Sequence, residues 1–179
     1  MKFEFSDKAA FQEYFGPAHQ MVRRSVKEFV DKEIIPNIED WEEKNEFPRD
    51  LYKKAGDVGI LGIGYPEEYG GTPGDIFFQV AAWEEIMRCG SGGVAAGLGS
   101  LNIAIPPIVS HGTDEQKERF VKPVIMGDKI AALAITEPEG GSDVAGLQTT
   151  AVRDNDHFVV NGSKTFITSG CRADPVSYT

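Results

Sequence analysis

Apolar positions along this chain recur first at helical and then at strand intervals. Val22, Val26, Phe29 and Val30 follow one another at three- and four-residue steps, with Arg23, Arg24, Lys27 and Asp31 between them, which predicts an amphipathic helix. Pro36 is expected to stop it, because proline lacks the amide hydrogen and its ring crowds the preceding turn. Pro48 sits where a first helical turn tolerates proline, and Leu51, Tyr52, Ala55 and Val58 form the next apolar face before Gly59. Beyond the loop GYPEEYGGTPGD (64–75), a third helix is predicted through Phe77, Val80, Ala81, Trp83, Glu84 and Met87, ending near Gly90. Thr113 with Gln116 three residues on has capping-box spacing and predicts a short helix through Phe120, with Asp114 and Glu115 favoured in its first turn. Pro123 opens one further turn, ended by Gly127.

After Lys129 the pattern changes. IAALAI (130–135) is a continuous apolar run of strand length, and a second strand is expected over Gln148–Arg153. Asp154-Asn155-Asp156 marks a turn, and HFVV (157–160) leads into Asn161-Gly162, a strong short hairpin signal. SKTFITSG (163–170) then reads as the returning strand, placing Phe166 and Thr168 on one face and Ile167 on the other. Residues 1–128 should therefore form a helical domain and 129–179 the beginning of an antiparallel sheet. So few strands leave open edges, and we expect a truncated or frame-shifted product that a longer reading of the coding sequence would extend. Pro175, in the closing CRADPVSYT, would withdraw a ladder donor from any strand there.

Of the 179 residues, 41% are hydrophobic and 26% charged, the balance of a soluble globular chain. The net charge of −10, and the absence of any Lys/Arg cluster beyond Arg23-Arg24, argue against nucleic acid as a partner. Cys89 and Cys171 have neither metal-ligand nor disulfide-framework spacing. His19, His111 and His157 are scattered, so capping and surface roles are expected of them and no metal site. The N-terminal MKFEFSDKAAFQEYF is too charged for a secretory signal, and a cytoplasmic protein is expected. Gly90–Ser110 carries no charge over about one membrane span, but five glycines and Pro106-Pro107 interrupt it. It reads as a tightly packed buried helix, with no membrane partner.

The candidate chemistry lies in AITEPEGGSDVAG (134–146). Gly140-Gly141 removes two β-carbons in succession, so backbone N–H groups can face a ligand, and Thr136 and Ser142 add hydroxyls at the two ends. Such donors suit a phosphate or an electron-rich ring gaining negative charge. Taken alone, the loop is more often an ordinary Gly-rich connection; there is no GxGxxG and no Lys after the glycines. KTFITSG (164–170) adds an aromatic beside a hydroxyl, a pair that fits a planar heteroaromatic ring, although a lone strand with a core Phe is commoner. The ordered pair of segments carries the information.

LAITEPEGGSDVAG (133–146) followed by NGSKTFITSG (161–170), supported upstream by PEEYGG (66–71) and by SHGTDEQKERFVKPVIMGDKIAALAITEP leading into the first strand, resembles the acyl-CoA dehydrogenase family. These are flavoenzymes with two helical domains flanking a β-barrel domain. The resemblance runs to about Asp174. It implies a multi-domain α and β protein: an all-helical N-terminal domain at 1–128, an incomplete antiparallel β-barrel domain at 129–179, and a C-terminal helical domain absent from the chain.

It further implies FAD as cofactor. Leu133, Ala134, Ile135, Thr136, Gly140, Gly141 and Ser142 would form the first FAD-binding segment, with Thr136 bonded to the flavin ring and Ser142 where cofactor and acyl-CoA meet. Phe166, Ile167 and Thr168 would cover the flavin, Thr168 near the hydride-accepting nitrogen, so Thr136 and Thr168 should share one hollow. Leu133 stands where many members carry an aromatic, Phe166 where many carry Trp, and Glu139 where the loop has a small residue; Glu139 should point outward.

The implied reaction is α,β-desaturation of an acyl-CoA thioester, electrons passing to an electron-transfer flavoprotein or similar acceptor, in a homodimer or homotetramer. The family's base is a Glu of the C-terminal domain, so neither Glu137 nor Glu139 is nominated and residues 1–179 are expected to be inert alone. Alternatives are a same-fold acyl-CoA oxidase, nitroalkane oxidase or flavin monooxygenase, or a non-enzymatic helical binding module. Ala95–Ile105 is the only groove candidate for such a module, and is expected instead to pack in the bundle and help line an acyl cavity.

Overall fold

The computed structural model describes residues 12–174 and 176–178. Helix α1 (Pro17–Phe29) buries Val26 and Phe29 against α4 (Ile76–Met87), whose N-cap Asp75 accepts from the Phe77 amide at 2.9 Å. His19 is buried and joins the starts of the two helices: its Nδ1 accepts from the Gly16 amide at 3.0 Å and its Nε2 meets Asp75 at 2.9 Å.

Pro36 does not end the first helix. The backbone widens into a π turn (Val30–Ile34), tightens into a 3-10 turn (Ile35–Asn37) and continues as α2 (Ile38–Lys44). Pro36 falls in the first turn of the 3-10 segment, where no amide hydrogen is required, and the wide turn makes room for its ring. Pro48 precedes α3 (Asp50–Asp57), whose buried face is Leu51, Tyr52, Ala55 and Gly56. Val58 lies past the end of that helix and is 52% exposed, so it does not belong to the face.

Gly92–His111 has the length and apolar composition of a membrane span, and it folds here as α5 (Gly92–Gly99), α6 (Leu101–Ala104) and α7 (Pro106–His111). Val94, Leu98, Leu101, Ala104 and Ile105 from it lie in the core. Ser91 caps α5 by accepting from the Val94 amide at 3.0 Å, and Ser100 at the α5–α6 joint donates to the Ala131 carbonyl at 2.9 Å. The capping box forms as expected: the Gln116 amide donates to Thr113 Oγ1 and the Thr113 amide to Gln116 Oε1. α8 (Asp114–Gln116), a π turn (Lys117–Val121) and α9 (Lys122–Ile125) follow.

The strands form two separate pairs. β1 (Ala132–Ala134) runs parallel to β4 (Val176–Tyr178), and β2 (Thr150–Asp154) is antiparallel to β3 (His157–Asn161). Neither pair closes, so the protein is a helical N-terminal part followed by a few strands in an unclosed sheet. Pro175 lies outside the described residues. The hairpin turns at Asn155-Asp156, with Asn155 at φ 54°, and not at Asn161-Gly162. Residues 163–170 are correspondingly no strand. The chain leaves β3 toward the 134–137 segment, where the Thr165 amide donates to the Thr136 carbonyl at 2.9 Å, and then coils through Ser169–Ala173. Without strand alternation, Phe166 and Thr168 do not share a sheet face; Phe166 takes φ 55°.

Candidate functional site

The 133–142 segment starts as β1, anchored by buried Ala132 and Ala134, with Leu133, Ile135 and Thr136 half-buried. A tight turn follows, in which the Glu137 amide donates to the Gly140 carbonyl at 2.8 Å and the Gly140 amide to the Glu137 carbonyl at 3.1 Å. Gly141 then passes 3.4 Å from the Thr136 side chain, measured from where a β-carbon would sit. Gly141 and Ser142 are exposed, and Glu139 points into solvent as expected.

Glu137 is the polar centre of this region. Its side chain and that of Lys164 are each 6% exposed, with Lys164 Nζ 3.0 Å from Glu137 Oε1. The same carboxylate accepts from the Gln148 amide at 2.7 Å, the Thr149 amide at 2.9 Å and the Thr149 hydroxyl at 2.5 Å. The Thr149 hydroxyl and the Gln148 amide, with Lys164 behind them, hold the carboxyl down to about 2.

That depression has a sign. The ionised form is favoured by the fold, so the stabilisation is complete above the unfolded carboxyl's value of about 4.3 and is lost as pH falls from there toward 2. Thermal melting of the wild type should therefore drop across that window. Glu137→Gln should melt lower at neutral pH and lose most of this acid step; an equally steep acid step in the variant would contradict the assignment.

Residues 163–172 carry the second candidate segment. Phe166 is 91% exposed at φ 55°, and Ser169 also has positive φ, at 62°. An aromatic residue held in the left-handed region and out of the core is strained, and such strain concentrates at functional sites. Three clefts meet around this segment. One of about 740 Å³ is lined by Ala134, Thr149, Lys164, Thr165, Phe166 and Ile167, among others. A second, of about 410 Å³, lies among α4–α6 and is lined by Trp83, Ala95, Ala96, Gly99, Ser100, Asn102, Ile103 and Thr168, with no charged side chain. A third, of about 270 Å³, sits where Thr168, Ser169 and Arg172 face Trp41, Phe47 and Tyr52.

The helical part grips this segment directly. The Arg172 guanidinium lies over the Phe47 and Tyr52 rings, 4.8 Å and 5.6 Å from their centroids, and the Tyr52 hydroxyl is 3.4 Å from Ser169 Oγ. Arg49 pairs with Asp174, whose carboxylate also accepts from the Ile130 amide at 2.9 Å.

Ala134, Phe166 and Ile167 thus share one cleft, while Thr168 faces the other two. Leu133, Ile135, Thr136, Gly140, Gly141 and Ser142 line none of the three, so Thr136 and Thr168 border no common one. Their segments are joined through backbone, by the Thr165–Thr136 bond. The Glu137–Lys164 pair and the Arg172 stack went unseen in the sequence.

With this geometry in hand, residues 16–128 match the acyl-CoA dehydrogenase N-terminal domain and residues 132–178 the acyl-CoA dehydrogenase middle domain. The chain belongs to the acyl-CoA dehydrogenase family. Among its relatives, the mitochondrial long-chain specific acyl-CoA dehydrogenase of Rattus norvegicus is 41% identical over 162 residues, covering 90% of this chain and 37% of that protein. The short-chain specific acyl-CoA dehydrogenase of Clostridium acetobutylicum is 40% identical over 156 residues, covering 87% of this chain and 41% of that protein. The crystal structure of a Bacillus anthracis acyl-CoA dehydrogenase complexed with FAD superposes with a TM-score of 0.84 at 36% identity, covering 97% of this chain and 30% of that one. The chain spans about two-fifths of the length of these curated relatives.

Proposed function

We propose that this chain supplies part of the FAD and acyl-CoA site of an enzyme that desaturates acyl-CoA thioesters between the α and β carbons. The observation that carries the reading is the 166–168 tripeptide, which separates a polar cleft beside the strands from an uncharged cleft among α4–α6. The residues present fit a flavin. Phe166 offers an exposed ring for stacking, Ser163, Thr165 and Thr149 line the same cleft with hydroxyls, and nothing stands within 4 Å of where a β-carbon on Gly140 would point.

When bound, FAD would supply the hydride acceptor for the β carbon. Phe166 would pack against the ring in the cleft beside the strands, Thr168 would face the uncharged cleft, and the acyl chain would lie there along Trp83, Ala95, Ala96, Gly99 and Ile103. Glu137 is unsuited to removing the α proton: its carboxylate already accepts from Thr149, Gln148 and Lys164, and at about 2 it is too weak a base for neutral pH. In this reading the base lies outside residues 1–179, as the family resemblance implies. The acceptor is an electron-transfer flavoprotein or similar carrier, and the intact enzyme is a homodimer or homotetramer.

A titration of the chain with FAD, followed by flavin absorbance and fluorescence, tests this. Weak but saturable perturbation is expected, with Phe166→Ala about fivefold weaker for want of the stacked ring. An unchanged flavin spectrum would defeat the reading. Turnover with acyl-CoA and a dye acceptor should stay at background; robust turnover would overturn the placement of the base.

A further inference from the structure

We propose that Glu137 and Lys164 form a buried ionic clamp that holds the 135–137 and 164–168 segments in register, making both of them positioning residues of the flavin site. The proposal rests on the flavin reading above and assigns Glu137 a role other than that of a base.

Three consecutive residues of one segment are tied to two consecutive residues of the other. Lys164 Nζ donates to the Ile135 carbonyl at 2.8 Å, the Thr165 amide to the Thr136 carbonyl at 2.9 Å, and Lys164 Nζ meets Glu137 Oε1 at 3.0 Å. Thr136 is thereby held from both sides, and its separation from Phe166 is set. No strand ladder does this work, because 163–170 forms none. A slip of one residue would break these bonds together and turn Thr136 away from the 166–168 tripeptide.

The charges explain why the register is firm. An ammonium and a carboxylate with side chains 6% exposed are costly to separate, since either left alone would be a stranded buried ion. The carboxylate's other lone pairs are taken by Gln148 and Thr149, so the clamp also fixes the entry to β2. A fold needing only adhesion would be served as well by apolar side chains of similar volume. What the ion pair adds is a single permitted alignment of two coil segments, of which 164–167 borders the proposed flavin cleft and 135–137 follows directly on Ala134 in its wall. Ala134, Lys164 and Phe166 all line that cleft.

The test compares wild type, Glu137→Gln, Lys164→Met and the double variant Glu137→Gln/Lys164→Met, all as the full chain. Far-ultraviolet circular dichroism monitors the helical part while FAD is titrated and its visible bands are recorded. Each single variant should keep the helical signal, bind FAD about tenfold more weakly because the alignment of the two segments is lost, and alter the shape of the flavin bands. The double variant strands no ion but also lacks the clamp and the Lys164–Ile135 bond, so its FAD affinity should stay about tenfold below wild type and its flavin bands altered. Single variants that bind FAD like wild type with unchanged bands, or a double variant that does so, would overturn the clamp while leaving the flavin reading intact. Failure of the wild type to perturb flavin would instead remove the reading on which the clamp stands. Should Glu137→Gln lose its helical signal, the comparison of Lys164→Met with the double variant decides by the same criteria.

Discussion

Gly127→Ala should be among the most destabilising single-methyl additions in the helical part. Gly127 has φ +73°, and a β-carbon there would lie 2.1 Å from the Tyr52 carbonyl oxygen and 2.8 Å from Lys53 Cα. Two costs combine: alanine in the left-handed region and a collision with backbone, which cannot rotate away as a side chain can. Together they amount to about 3 kcal/mol or more, against a typical total of roughly 5–15 kcal/mol. For a chain of this size the melting temperature should fall by about 10 °C. The contact is reciprocal, since a β-carbon on Gly56 would stand 2.3 Å from the Met126 carbonyl oxygen. Gly56→Ala should therefore be comparably harmful, and the double variant less harmful than the sum, because both open the same seam. Gly92→Ala, where an added β-carbon meets nothing within 4 Å, should stay within about 0.5 kcal/mol of wild type. Thermal melting of the four variants beside wild type is sufficient; a Gly127→Ala protein melting with Gly92→Ala would refute the close approach. The consequence reaches the candidate site, because α3 carries Tyr52, which supports Ser169 and Arg172.

The features legible in the sequence were those whose cause is local. Thr113 and Gln116 cap α8 through bonds three residues apart, and Pro48, Leu51, Tyr52 and Ala55 announce α3 within two turns. Asp154-Asn155-Asp156 was readable as a turn because Asn tolerates positive φ, which Asn155 adopts. Asn161-Gly162 carried the same local chemistry and misled, because the partner of the following segment is Thr136, far off in the chain. Pro36 misled for a related reason: the rule that proline ends a helix assumes a regular helix, and here a wide turn precedes it.

The candidate segments themselves were visible as motifs, whereas their alignment was not. Glu137 closes an apolar run and Lys164 opens an aromatic-Ile-Thr run, and each charge stands beside small or apolar neighbours. That local mismatch is the one signal that could have marked them. Pairing them required knowing which two segments meet, and alternation placed 163–170 in a ladder that does not exist. The Arg172 stack is hidden for the same reason, since its rings come from residues 47 and 52.

Glu85→Ala should be the most costly change at the α1–α4 seam. Glu85 is 3% exposed; Arg88 lies 3.2 Å from it and Arg23 3.5 Å, with side chains 7% and 15% exposed. Truncation removes the anion between two guanidinium groups that have little access to water, and breaking a buried pair in this way typically costs about 3–5 kcal/mol. The lower end applies here, because Arg23 keeps Glu84 and Arg88 keeps Asp31 at 3.1 Å. Urea denaturation should accordingly show a loss of about 3 kcal/mol with an unchanged slope. Glu118→Ala is the matched control: its i,i+4 bridge to Lys122 has side chains 53% and 48% exposed and should be worth under about 0.5 kcal/mol. Raising the salt concentration should erase the small effect and leave the large one, because screening reaches exposed pairs and not buried ones. Equal losses at the two positions would mean that the Arg23–Glu85–Arg88 group is solvated in solution. The seam also orients α4, which carries Trp83 to the wall of the uncharged cleft. Loss of Glu85 should therefore loosen that cleft as well as the bundle, and the indole emission of Trp83 should shift before the global transition, a pre-transition that Glu118→Ala would lack.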